Sequence, residues 1–198
     1  DQSPRDLVRR GRGEPDFRDK SGLEEMGRRV AWAVDDVMER AQRDVRQRVV
    51  FGHTVETLPL PARKVTEADY EQAKIAYAQL MDGDPTADTG EAGRARRFRQ
   101  GMDKFEQQGA APVFPIELHV MRIGDVALAT NPFELFLDYG LRIKAQSPAE
   151  QTFLVQLACD RGAYLPTRKA LAGGSYGSAL TEAPVGPEGG DVLVGRTV

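Results

Sequence analysis

Two apolar runs, Val113 to Ile123 and Asp125 to Thr130, meet at Gly124-Asp125, and that junction constrains the fold more than any other stretch. Glycine reaches positive φ without a steric penalty, so Gly-Asp between two β-rich runs predicts a hairpin. The residues after it change period. Asn131 reads as an N-cap with Pro132 at the first helical position, where a missing N–H costs nothing. Phe133, Leu137 and Leu141 supply an inner helix face, Ser147-Pro148 stops the helix, and Thr152 to Ala158 reads as a further buried strand.

Upstream, residues 1 to 20 are rich in Arg, Asp, Gly and Pro without periodicity and read as an irregular loop. Leu23, Met26, Val30, Val34, Val37 and Ala41 then recur at helical spacing, predicting a helix from Ser21 to about Asp44. Val49 to Leu60 reads as a strand that closes with Pro59 and Pro61 and exits into an extended segment. Thr66 with Asp69 three residues on predicts a capped helix to about Met81. Asp82 to Gly90 is a turn-rich linker, and Glu91 to Gln107 a basic, solvent-facing helix. After Thr167 a short helix is expected, then a Gly-rich segment to Gly190 in which Pro184 and Pro187 oppose regular structure, and finally the start of a further element from Asp191 to Val198. Hairpins interleaved with helices indicate an α+β or mixed α/β layer architecture, a layered sheet with helices between its strands.

Composition narrows the functional classes. The 198 residues carry a formal net charge of -3, and their sequence pI is near 5.5, which opposes nucleic acid as a main partner. Basic clusters at Arg9, Arg10 and Arg12 and at Arg94, Arg96, Arg97 and Arg99 read as solvated faces. Cys159 is the sole cysteine, so neither an intrachain disulfide nor a multi-cysteine zinc cluster is available. No apolar run is long enough for a transmembrane segment, and the first residues are charged rather than a signal peptide.

Three side chains stand out for chemistry. Glu134 lies three residues after Asn131, where its carboxylate can close a capping box or, at a strand end, serve as a metal ligand. Tyr164 follows the strand predicted to end at Ala158 and reads either as a half-buried core tyrosine or as a metal ligand whose phenol needs the metal's charge to ionise near neutrality. Tyr176 follows Gly173-Gly174-Ser175 and is either an ordinary loop residue or an O–H donor to a developing oxyanion. His53 and His119 are the two histidines, both on predicted strands; either could be a metal ligand, although a packed or surface role is the ordinary one there.

Asn131-Pro132-Phe133-Glu134, then Tyr164-Leu165-Pro166-Thr167, then Tyr176 twelve residues after Tyr164, resemble in order the C-terminal part of the catalytic domain of neutral ceramidases and their bacterial relatives. The resemblance implies zinc as cofactor, Glu134 and Tyr164 as two of its ligands, and Tyr176 as a catalytic residue. Asp1-Gln2-Ser3-Pro4 resembles a loop that follows the family's two histidine ligands, so the histidine-bearing part is expected upstream of residue 1. Residues 1 to 198 would then form a single region, inactive in isolation, with the upstream part of the same enzyme as partner. Phe133, Pro166, Arg168 to Leu171 and Gly177 depart from the family pattern at the pocket wall. The activity implied is hydrolysis of an N-acyl amide bond, in a lipid or another amide substrate, by metal-activated water; a secreted or periplasmic location is compatible with it. The alternative is a non-catalytic binding or structural module that keeps the fold without the chemistry.

Overall fold

The computed structural model describes residues 10–14, 20–83, 89–174 and 176–198, and the chain divides into two compact units, residues 1–49 and residues 50–198. The loop read at residues 1 to 20, with Asp1, Ser3 and Pro4, lies largely outside the described residues, as do most of the Asp82–Gly90 linker and Ser175.

In the first unit, helix α1 (Lys20–Arg43) occupies the predicted span. Its apolar stripe is exposed at Leu23, Val30, Val34 and Val37. Arg28 and Arg29 both reach Glu25, and Arg43 reaches Glu39, at the three- and four-residue spacings that bring side chains together on a helix surface.

The second unit is mixed α/β. Strands β1 (Phe51–Pro61), β2 (Val113–Ile123), β3 (Val126–Thr130) and β5 (Gln151–Val155) form one sheet in the order β1-β2-β3-β5. β1 and β2, and β2 and β3, are antiparallel, whereas β3 and β5 are parallel. Strands β4 (Phe133–Leu135) and β6 (Ala163–Leu165) form a separate parallel pair. The predicted turn is present: Ile123 faces Val126 across Gly124-Asp125, and Gly124 has φ 63°.

β1 runs through both of its prolines, close to the predicted span. It pairs with β2 from Phe51 to Pro61, and Pro59 stands opposite Pro115. The bonds Gly124 N–H to Val50 O (2.7 Å) and Ala62 N–H to Pro112 O (2.9 Å) put the hydrogen-bonded pairs at even-numbered positions of β1. Pro59 and Pro61 therefore occupy non-hydrogen-bonded positions, where a missing N–H removes no bond to β2.

Alternation sorts the sheet into two faces. Leu58, Leu60, Ile116 and Leu118 point inward and pack with Phe133, Leu135, Tyr139, Ile143, Leu165, Val185, Leu193 and Val194. Phe51, Val55, Phe153 and Val155 lie on the other face and are exposed. β5 is thus buried on one face through Thr152 and Leu154, where a fully buried strand was expected.

Helices α2 (Glu67–Met81) and α3 (Thr89–Gln107) pack as a pair, with Tyr70 stacked on Phe105 at 4.6 Å between ring centroids. Thr66 and Asp69 form the predicted capping box, the Thr66 side chain accepting from Asp69 N–H and the Asp69 carboxylate accepting from Thr66 N–H. α3 is less solvent-facing than its composition suggested, since Ala95 and Met102 are buried. The Gln108 side chain bonds both the N–H and the C=O of Val65, tying the end of α3 to the start of α2.

Two sequence expectations are corrected near the core. The helix after the hairpin, α4 (Leu137–Gln146), starts at Leu137 rather than Pro132, and its inner face is Tyr139 and Ile143. Leu137 and Leu141 are 63% and 57% exposed, and the buried Phe133 belongs to β4. The cause lies in Asn131, whose Oδ1 accepts from Phe133 N–H two residues on (3.1 Å), a turn that keeps the next residues extended. At the other end Pro187 starts helix α6 (Pro187–Thr197) instead of opposing structure, because an N1 position wants no N–H. The stretch from Asp191 is the body of that helix. Asp191 joins three helices by accepting from Arg142 of α4 (2.7 Å) and from Arg168 of helix α5, Arg168–Ala172 (3.1 Å).

Phe133→Ala should cost about 3 to 5 kcal/mol of unfolding free energy as a core cavity, whereas Leu137→Ala should stay within about 0.5 kcal/mol. Paired denaturant titrations of the two variants check the corrected helix face.

Candidate functional site

β4 and β6 put the predicted carboxylate and phenol side by side. Glu134 and Tyr164 are direct partners in the parallel register, flanked by Phe133 opposite Ala163 and Leu135 opposite Leu165. Phe133, Leu135 and Leu165 are buried, and alternation turns Glu134 and Tyr164 to the opposite face, where both are half-buried. The Tyr164 phenol donates to the Glu134 carboxylate. That hydrogen bond, followed by desolvation and the negative charge of Glu134, pushes the phenol up to about 12.

Tyr176 joins them. It opens a 3₁₀ turn (Tyr176–Ser178), and its ring meets Tyr164 edge-on, with centroids 5.8 Å apart and planes at 81°. Phe136 packs on Tyr164 in the same manner at 6.5 Å. Tyr176 is 68% exposed, so its hydroxyl is available to a ligand. Gly177 makes this approach feasible: a Cβ there would lie 2.9 Å from the Tyr164 ring and 3.2 Å from Phe136.

Hydrogen bonds to backbone groups hold the platform. Gln156 Oε1 accepts from Leu135 N–H (2.6 Å), Gly162 N–H reaches Pro132 O (2.8 Å), and Tyr164 N–H reaches Glu182 O (2.9 Å). Tyr139 donates its buried hydroxyl to Pro166 O (2.9 Å), anchoring the turn after β6 to α4. Thr167 caps α5 by accepting from Ala170 N–H (3.2 Å). The capping-box reading of Glu134 is overturned by the same geometry: Glu134 sits in a strand, and the Asn131 side chain bonds Phe133 N–H.

Sequence reasoning weighed the two histidines only singly and missed a second constellation. Among the described residues, one group of three or more His, Cys, Asp and Glu side chains converges at metal-binding range: Glu117, His119 and Cys159, with donor atoms within 4.8 Å of one another. His119 Nε2 lies 2.8 Å from Glu117 Oε1, and its Nδ1 lies 2.9 Å from His53 Nε2, with the two imidazoles stacked at 5.1 Å. The two histidines are therefore not isolated strand residues. The readable signal was Glu-x-His on a strand, two residues apart and so on one face. The approach of Cys159 from the loop after β5 had no local signature.

A cleft of about 430 Å³ opens elsewhere, between the β2–β3 hairpin, the loop after α4 and the last residues of α6, and includes neither constellation. Comparison of the chain with protein-family models, with curated proteins and with solved structures returned no match.

A phenol held at about 12 in the folded chain, against about 10 unfolded, stabilises the fold fully below pH 10 and loses that contribution as pH rises toward 12. Glu134→Ala removes the acceptor, so tyrosinate absorbance should show one phenol titrating nearer 10. Tyr139, which burial also pushes up to about 12, should stay unmoved in that variant and serve as the internal reference.

Proposed function

We propose that this chain contributes to a zinc-dependent hydrolase of N-acyl amide bonds, similar in kind to neutral ceramidases. The observation that carries the reading is the meeting of half-buried Glu134 and Tyr164 with exposed Tyr176, residues thirty and twelve positions apart in sequence. A core tyrosine or a helix-capping glutamate requires no such meeting.

The donor chemistry fits zinc as two ligands of four. Carboxylate oxygen is an accepted zinc donor, and catalytic zinc sites combine three protein ligands or more with an exchangeable position. In the metal-free chain the Glu134–Tyr164 hydrogen bond keeps the phenol protonated, so a cation that binds the pair must displace that proton. The resemblance implies two imidazoles as the remaining donors. Held there, zinc would lower the pKa of a water molecule to about 7 and polarise the amide carbonyl.

The residues of this chain then divide the work. Glu134 and Tyr164 position the cation from adjacent strands whose buried neighbours fix their spacing. Tyr176, exposed and edge-on to Tyr164, offers its O–H to the oxyanion that forms as the carbonyl carbon becomes tetrahedral. Phe136 supplies apolar surface beside the acyl group. Products are a carboxylic acid and an amine.

In the complete enzyme, Glu134→Ala should remove one equivalent of zinc, measured by elemental analysis, together with hydrolysis of an N-acyl amide probe. Tyr176→Phe should keep the zinc and lower kcat by about 10²- to 10³-fold, the usual cost of losing one oxyanion donor. Unchanged zinc content and unchanged activity in Glu134→Ala would overturn the reading.

A further inference from the structure

The outer face of the main sheet carries a second chemistry that the Glu134–Tyr164 pair does not use. Glu117 and His119 project from β2 on one side because they are two residues apart. His53 joins them from β1, diagonal to His119 in the register that pairs His53 with Met121 and Val55 with His119. Cys159 arrives from the loop after β5, its Sγ 3.9 Å from Thr130 Oγ1, and that same hydroxyl accepts from His119 N–H at 3.1 Å.

The loop is held in an uncommon conformation to do this. Cys159 has φ 67° and Leu157 φ 54°, the left-handed region that ordinary side chains avoid, and Ala158 N–H between them is pinned to Asn131 O at 3.0 Å. Strain of this kind persists where the surroundings over-determine it and clusters at binding sites.

We propose that Glu117, His119 and Cys159 form a second metal site, selective for a zinc-class divalent cation through carboxylate, imidazole and thiolate donors, with His53 orienting His119. Tetrahedral zinc places such donors about 3.3 to 3.6 Å from one another, given metal–donor lengths of about 2.0 to 2.3 Å. Glu117 and His119 stand slightly closer than that and the set spans at most 4.8 Å, so rotations of partly exposed side chains complete the geometry.

Coordination sets the proton positions. The Cys159 thiol loses its proton to solvent, and His119 Nε2 binds as the bare nitrogen. His119 Nδ1–H then donates to His53 Nε2, the outer partner that a metal-bound imidazole ordinarily requires. Three protein ligands leave the fourth position to water or to a ligand atom. A thiolate-bearing set separates this site from the oxygen-donor pair at Glu134 and Tyr164.

The test is a titration of the reduced, metal-free chain with cobalt(II), read as the near-ultraviolet thiolate-to-cobalt charge-transfer band. The band should saturate at one equivalent, vanish in Cys159→Ser, weaken at least tenfold in affinity in His119→Ala and Glu117→Ala, and weaken by about 10- to 100-fold in His53→Ala. Glu134→Ala should leave it intact, which separates this site from the hydrolase reading. Far-ultraviolet circular dichroism of each variant verifies folding. Absence of the band, cobalt bound without it, or a band indifferent to folded His119→Ala each overturns the assignment.

Discussion

The antiparallel ladder between β1 and β2, eleven residues on each strand, is the constraint on which the second unit depends. A strand sends successive side chains to opposite faces, so one register decides both what is buried and what is displayed. In this register Leu58, Leu60, Ile116 and Leu118 meet the core, and His53, Glu117 and His119 necessarily share the other side. A slip of one residue would bury the histidines and expose the leucines. Packing on one face therefore specifies the polar grouping on the other.

The smaller sheet uses the same logic with fewer residues. Only three residues pair on each strand of β4 and β6, too few to be stable alone. Burial of Phe133, Leu135 and Leu165 supplies what the short ladder lacks, and the Tyr139 hydroxyl on Pro166 O ties the pair to α4. The polar residues at the centre, Glu134 and Tyr164, inherit a fixed separation from these apolar neighbours. Their mutual hydrogen bond couples a carboxylate to a phenol that stays protonated across the physiological range.

How much of this was legible depended on whether the deciding interaction was local. The Gly124-Asp125 hairpin and the Thr66–Asp69 capping box involve residues within a few positions of one another, and both are formed as read. Asn131-Pro132 was misread as the start of a helix, since asparagine suits a cap and proline the first helical position. The Asn131 side chain instead closes a turn on Phe133, and a partner strand thirty residues away recruits Glu134. Pro187 was misread in the opposite sense, since proline breaks a helix interior but suits its first turn. Tyr164 and Tyr176 were joined in one candidate centre by the resemblance alone, and their edge-on contact depends on Gly177, whose missing side chain has no pattern of its own. Cys159 reaches His119 through a loop with two left-handed residues, a conformation that neither residue type advertises.

The prolines of β1 have one more effect. β1 is an edge of its sheet, and the odd-numbered residues turn their N–H groups away from β2. Pro59 and Pro61 occupy that outward row, so the end of the edge beside the core residues Leu58 and Leu60 offers no donors to an approaching strand. Sheet extension by another chain is refused there, while the segment from Phe51 to Thr57 keeps its outward donors. A single edge is thereby closed at one end and open at the other, a polarity set by two rings that leave the ladder to β2 untouched.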